Sequence, residues 1–441
     1  MLQTSLRYLT VVAFAANFTA SSALADATTP IDWTSVPVEE VTLFYPGQSS
    51  FQWLHSPEHR GARKLKRGNA CKDCHRDSER DMGNDIVSGG HLEPNPIDGK
   101  KGALQLAVQA AHDEENLYLR FRWKTQAERP GVMHNYMRYD GQAWAFYGGP
   151  RSAKRVRQGE EPPLYEDRLA IMIDDGDVHR FAEQGCWISC HTGMRDMPGE
   201  PTSEAVRSHP YLGEGGLGRN DVRKYLPVSR TDTSSSWDKV ESPEVLAELK
   251  EKGVFLDLMQ WRAARSNPVN MADDGFVLGY RLFDEGKNPF SWNVDRDSMT
   301  PKFMFDPKKV GRKSLTVSDI ETGPEPAALI REDNSVPYDP DAGWKEGDVL
   351  PGRLLSRADA RGSAADNNRV TGKWEDGSWI VTWVRPLDTG HYDDISLMRG
   401  NTYTFGFAVH DDNVTTRFHF VSFPVVVGIG RGGDITAVPL D

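Results

Sequence analysis

Cys71, Cys74 and His75 stand in the order Cys-x-x-Cys-His, and Cys186, Cys190 and His191 repeat that order with one more residue between the thiols. The chemistry that uses such a triplet is covalent haem attachment. Two thiols add across the vinyl groups of the porphyrin, and the adjacent imidazole reaches the iron from one face. The chain has four cysteines, and the two triplets use all of them. Two disulfides, a thioredoxin-type redox pair or half a zinc site would employ the same thiols. A bridge inside either pair would close a very short loop, and a histidine directly after the second cysteine suits zinc poorly. Haem attachment accounts for both histidines. The expectation is two covalently attached haem c groups on Cys71, Cys74, Cys186 and Cys190, with His75 and His191 as proximal iron ligands.

The ligand on the other face sets the potential: Met raises it, His lowers it, and an empty position admits external ligands. For the first motif the expected distal ligand is His59, with His55, His91 and Met82 as the other donors nearby in sequence. For the second it is His134, in the donor-rich stretch 132–137, with Met194 and Met197 as the other choice. Met172, Met259 and Met304 read as core packing. Trp187, between the second pair of thiols, is expected to touch porphyrin. The acidic pairs Asp174-Asp175, Asp273-Asp274 and Asp411-Asp412 could ligate calcium, but solvated turns beside strands explain them better. No nucleophile–base constellation and no glycine-rich phosphate cradle is visible, so no catalytic residue is assigned.

These residues need elements to hold them. Residues 26–94 are polar and irregular, with short helices expected over 61–67 and after His75. Beyond them, apolar and polar residues alternate at 116–123, 167–173, 275–282, 379–384, 403–410 and 419–427, the pattern of half-buried strands. Glu375-Asp376-Gly377 reads as a hairpin turn, and the clearest helix runs over 242–251, with Pro243 in its first turn and Gly253 after its end. The expected fold is mainly β: an antiparallel β-sandwich with long loop insertions and a small irregular or helical N-terminal haem c lobe. Residues 1–25 form a signal peptide, 26–92 the first haem segment, and 93–441 the sandwich, with the second haem motif in a loop insertion.

The leader reading rests on Arg7, an apolar stretch, and Ala23-Leu24-Ala25 as the cleavage site. That apolar stretch is interrupted by Asn17, Thr19, Ser21 and Ser22, so it is too polar to span a bilayer. No later segment is apolar enough to do so, and the expected location is the periplasm. Net charge is −12, or −13 once Arg7 leaves with the leader (−12 − 1). Nucleic acid and anionic lipid are therefore poor partners.

Five segments, Ala110 to Trp123, Leu164 to Ala170, Gly185 to Pro198, Asp257 to Asp274 and Pro301 to Asp306, together resemble the ethylbenzene-dehydrogenase-related haem-binding domain, over residues 92–441. Its members include γ subunits of periplasmic molybdoenzymes of the dimethyl-sulfoxide-reductase family. The resemblance implies a β-sandwich that holds a haem and exchanges electrons with a partner enzyme. In the γ subunits that haem is b-type, held by Met and Lys; Lys302 and Met133 or Met137 are positions where such ligands could lie. Covalent-attachment motifs set this chain apart and point to a c-type branch, with room for a further non-covalent haem b.

The expected function is a periplasmic dihaem cytochrome relaying electrons to or from a redox protein or a molybdoenzyme. The alternatives are a haem enzyme with one open iron, such as a peroxidase or a reductase of a small oxide, and a haem-based sensor or binding module.

Overall fold

Strand-forming sequence dominates the chain, and a computed structural model describes residues 31–232, 236–283, 288–322 and 327–440. The expected leader, residues 1–25, and its cleavage site lie outside the described residues. Among those described, one 13-stranded sheet carries the fold. Its principal strands are β1 (Glu39–Phe44), β2 (Ala103–His112), β3 (Asn116–Lys124), β4 (Arg168–Asp174), β5 (Leu256–Arg262), β6 (Arg369–Glu375), β7 (Ser378–Pro386), β8 (Thr402–His410), β9 (Phe420–Val421), β10 (Val425–Ile429) and β11 (Ile435–Pro439). The hydrogen-bonded order is β6-β7-β3-β2-β1-β9-β8-β4-β5, and two short strands, Phe276–Val277 and Arg281–Leu282, extend the β5 edge.

Packing shows that this sheet folds back on itself. Strands β3 and β5 are six steps apart in the order, about 29 Å at ~4.8 Å per step. Yet Trp123 of β3 meets Trp261 of β5 at 6.0 Å between ring centres, and Phe121 of β3 meets Phe407 of β8 at 5.7 Å. The sheet thus folds into two facing layers whose rings meet between them, as in the expected sandwich. Where β6 crosses Trp261 there is no room for a side chain: a Cβ on Gly372 would lie 2.3 Å from that indole. The ladders are antiparallel except at β11, which runs parallel to both β2 and β10 and ties the layers together.

Local chemistry explains the turns. The β6–β7 hairpin closes at Asp376 and Gly377, both at positive φ (50° and 72°), as a type I′ turn requires. The helix Pro243–Glu251 is capped by the Ser242 hydroxyl, which accepts from the Val245 N–H. Pro424 separates β9 from β10 where one continuous strand over 419–427 was expected.

The N-terminal haem segment differs from expectation. Its strand β1 lies inside the main sheet, in register with β2 (Leu43 opposite Leu104) and joined to β9 at Phe44–Val421. A division at residue 92 therefore cuts through a sheet; residues 36–441 pack as one unit. After β1 come short helices α1 (Phe51–His55), α2 (Ala62–Lys66), α3 (Lys72–His75), α4 (Glu79–Val87) and, after β4, α5 (Phe181–Gln184). No helix among the described residues is long and apolar enough to cross a membrane.

Candidate haem-binding sites

The first motif is presented by α3, whose N-cap is Cys71. Asp73 shapes the turn by accepting from the Ala70 N–H at 2.9 Å, and the Cys71 N–H donates to the Glu183 carbonyl of α5 at 3.0 Å. In a helix, residues four apart share a face, so Cys71 and His75 border the same cavity. That cavity, about 240 Å³, is walled by Phe44, Trp53, Leu65, Met82, Trp187 and Phe423. His59 stands across it, its ring centre 6.1 Å from that of His75 and the two planes 25° apart. The His59 Nδ1 faces the Leu54 carbonyl at 2.9 Å. A carbonyl only accepts, so Nδ1 carries the proton and Nε2 is the bare nitrogen. Gly61 permits this placement, since a Cβ there would come within 2.8 Å of the imidazole. Burial lowers the pKa of His75, favouring the neutral ring, and pushes the Cys71 thiol up to about 12.

The other donors considered for this site divide cleanly. Met82 lines the cavity. His55 is turned to the Phe51 carbonyl at 2.7 Å, and His91 is exposed on Glu58.

The second motif follows α5 on a single 3₁₀ turn, Gly185–Ser189. Gly185 has φ +58°, with Pro424 packed against it. Cys186 and Cys190 line a cavity of about 120 Å³ beneath β8, together with Met194, Lys224, His410, His419 and Arg417.

His191, expected from sequence as the proximal ligand here, is not among the residues that line this cavity. It is fully buried elsewhere, stacked on Tyr225 at 3.9 Å with planes 6° apart. Its Nε2 donates to the Tyr225 carbonyl at 2.9 Å, and its Nδ1 accepts from the Gln52 amide at 3.0 Å. Neither ring nitrogen is bare. The local backbone supplies the reason. His75 is the fourth residue after Cys71 and lies on the same α-helical turn, but the 3₁₀ turn ends at Ser189 and Cys190 is extended, so His191 leaves the helix before it can share a face with Cys186.

His134, the expected distal ligand, lines a different cavity with Arg265 and Arg353. Its ring packs on Tyr165 at 4.8 Å, and its Nδ1 is buried without a partner. Lys302 is exposed on the surface and Met137 is in the core, so these two are not brought together. Met194 does line the second cavity, whereas Met197 is buried in the fold without lining it.

The residues that sequence reasoning missed are His410 and His419. Their rings lie 4.8 Å apart, and both face the Thr416 carbonyl, His410 through Nε2 at 3.2 Å and His419 through Nδ1 at 2.5 Å. Burial holds His419 far below its usual range, at about 3, with Lys224 adding to the effect. The signal available in sequence was only a histidine at each of two apolar strand ends.

The two motifs adjoin each other. Trp187, from the second motif, stacks on Phe44 at 5.5 Å and lies 5.6 Å from Phe423, inside the first cavity. Its indole N–H donates to Ser49 Oγ at 2.9 Å. On the other side, the Phe51 N–H of α1 donates to the Cys190 carbonyl at 2.7 Å. A buried ion pair reinforces the junction. Arg417, from the wall of the second cavity, binds Glu93 at 2.5 and 3.0 Å and donates to Tyr45 Oη at 2.8 Å.

Comparison with known proteins agrees with this architecture. The chain is 30% identical to cytochrome c-552 of Stutzerimonas stutzeri over 415 residues, 94% of this chain and 92% of the relative. It is 31% identical to cytochrome c-551 of Rhodocyclus tenuis over 172 residues, 38% of this chain and 58% of the relative. The sequence profile of the ethylbenzene dehydrogenase family matches residues 32–422, beginning well before the residue 92 expected from sequence and taking in the first cysteine motif. The chain belongs to the ethylbenzene dehydrogenase family.

Proposed function

We propose that the protein is an exported dihaem c-type cytochrome that relays electrons between a redox-protein partner and a respiratory chain. One observation carries this reading: each pair of thiols opens on its own cavity, and the two motifs are joined by backbone hydrogen bonds, from the Cys71 N–H to the Glu183 carbonyl and from the Phe51 N–H to the Cys190 carbonyl. Haem c, when bound, supplies a one-electron couple; the chain supplies the thiols, the ligands and the exclusion of water.

The residues at the first cavity fit a haem with two histidine ligands. Two imidazoles on opposite sides of one metal stand with centres about 6 Å apart, twice the sum of a ~2 Å metal–nitrogen bond and ~1 Å from nitrogen to ring centre. His59 and His75 have that spacing. At the second cavity Cys186 and Cys190 fit porphyrin attachment, and His419 is the imidazole on hand in place of His191. Export to the periplasm is supported by the leader sequence and by the names of the relatives. A molybdoenzyme partner is suggested by family resemblance.

The second cavity supports a second reading, a haem enzyme working at that site. Lys224, Arg417 and Arg168 make the walls cationic, suited to an anionic small oxide. A pyridine haemochrome assay, combined with carbon monoxide difference spectra on protein matured with the c-type assembly system, tests both readings. Two haems per chain and no carbon monoxide band support the relay. One haem, or none, refutes the dihaem reading, and a strong carbon monoxide band moves the enzyme reading forward.

A further inference from the structure

Asp257, Asp274 and Asp394 lie far apart in sequence, yet each offers a carboxylate oxygen within 4.8 Å of the others. All three are buried, with exposures of 0%, 4% and 8%. Asp257 is on β5, where Leu258 and Gln260 face the Cys186–Cys190 cavity. Alternation along a strand puts Asp257 on the opposite face of the sheet, so the cluster is separate from the haem sites. Asp274 leads into the strand Phe276–Val277, and Asp394 belongs to the connection between β7 and β8.

Their oxygens are incompletely used. Asp257 Oδ2 accepts from Arg385 Nη2 at 2.7 Å and from the Ile395 N–H at 3.1 Å. Asp274 accepts from the Gly275 N–H at 2.8 Å and from the Asn368 amide. Asp257 Oδ1 and both carboxylate oxygens of Asp394 are buried with no hydrogen-bond partner. Arg385 is the guanidinium ion-paired with this cluster. Three buried carboxylates facing one cation leave a charge deficit that a protein interior does not tolerate.

We propose that Asp257, Asp274 and Asp394 bind a calcium ion that fastens the β7–β8 connection to the inner face of β5, the face that carries Trp261. The donor set is all oxygen and anionic, as hard cations require. Unused oxygens on two of the three residues give a large cation room for bidentate coordination. Mg²⁺ demands tighter octahedral geometry and keeps several waters, a poor match to carboxylates this deeply buried. The sequence marked Asp273-Asp274 as a turn. Instead, Asp273 is consumed by Arg262 and Arg281, which leaves Asp274 for the cation.

The test uses the intact holoprotein. Metal content is measured by plasma mass spectrometry after dialysis into metal-free buffer, and Tm is followed with EGTA, Ca²⁺ or Mg²⁺. Terbium luminescence excited through tryptophan gives a direct reading, because the Trp383 indole donates to Asn368 at 2.7 Å and Asn368 in turn holds Asp274. The expected result is one calcium per chain, a fall in Tm of roughly 5 °C with EGTA, recovery with Ca²⁺ but not Mg²⁺, and sensitised terbium emission. Asp394→Asn should lose the metal and the EGTA response while keeping the haem spectrum. A parent protein without stoichiometric calcium, with a Tm indifferent to EGTA and Ca²⁺ and no terbium emission, overturns the proposal. So does calcium retained equally by Asp394→Asn. Should that variant fail to fold, the parent's metal content and terbium signal decide.

Discussion

His59→Ala should convert a closed iron into an open one. The His59 and His75 rings are 6.1 Å apart with planes 25° apart, and His59 Nε2 is the nitrogen left free once Nδ1 is committed to Leu54. Half the ring separation is about 3 Å, which is a ~2 Å metal–nitrogen bond plus ~1 Å to the ring centre. On that geometry the parent's first haem binds no carbon monoxide when reduced. His59→Ala should gain about one equivalent per chain, read as a Soret difference spectrum. His59→Met should keep six ligands and raise the midpoint potential by on the order of 100 mV, because thioether replaces imidazole. Met82 shares the cavity, so Met82→Leu is the control and should leave both spectrum and potential in place. The reasoning fails if His59→Ala takes up no more carbon monoxide than the parent, or if Met82→Leu is the variant that opens the iron.

The remaining predictions concern the second site and its supports. His419→Ala should change the second haem's spectrum and potential. His191→Ala should leave both unchanged and cost about 2–4 kcal/mol in a urea melt, from two hydrogen bonds, a ring stack and a cavity; the reverse pattern would return ligation to His191. Glu93→Gln removes the charge facing buried Arg417 and should cost about 3 kcal/mol; a loss below ~1 kcal/mol would mean that the junction is held by packing alone. Asp174 is buried and its pKa is raised to about 6 by that burial. The folded state therefore holds the proton more tightly than the unfolded chain, a stabilisation complete below pH ~4 and lost as pH rises through about 6. Asp174→Asn should be more stable than the parent at pH 7, by about 1 kcal/mol after discounting its unpartnered Oδ2, with the gain vanishing near pH 4. A constant difference across that range would refute the sign.

Features set by local chemistry were legible in the sequence. The Ser242 cap, the Asp376-Gly377 hairpin and the Cys71–His75 turn depend on residues within five positions of one another, and the structure forms all three. Strands with one buried face showed their alternation, as β3 did. Strands β4 and β5, buried along their whole lengths, carry Arg168, Asp257, Gln260 and Arg262 inside, because groups distant in sequence or on other elements pair with them: Arg385 with Asp257, Asp273 with Arg262, Arg281 with Gln260 and the Val414 carbonyl with Arg168. No local pattern reports such pairing. The same blindness hid β1, whose exposed Glu39 and Glu40 read as loop, and made Asp274 look like a solvated turn. At the second motif the chain leaves its 3₁₀ turn at Ser189 and is extended at Cys190, a change of conformation that the spacing of the thiols alone does not report.

The mutual backbone bonds between the motifs bear on how electrons would cross. The Cys71 N–H rests on the Glu183 carbonyl beside the second motif, and the Cys190 carbonyl receives the Phe51 N–H beside the first. Each motif thus completes the hydrogen bonding of the other's support, and β1 anchors both to one sheet. A first haem on a tethered lobe would need a docking motion before each transfer, adding a conformational step to the rate. Here Trp187, from the second motif, packs with Phe44 and Phe423 in the wall of the first cavity. Transfer between the two haems would then need no movement of the chain. Interhaem exchange should therefore be insensitive to solvent viscosity, and a rate that falls as glycerol is added would show that the two sites part in solution.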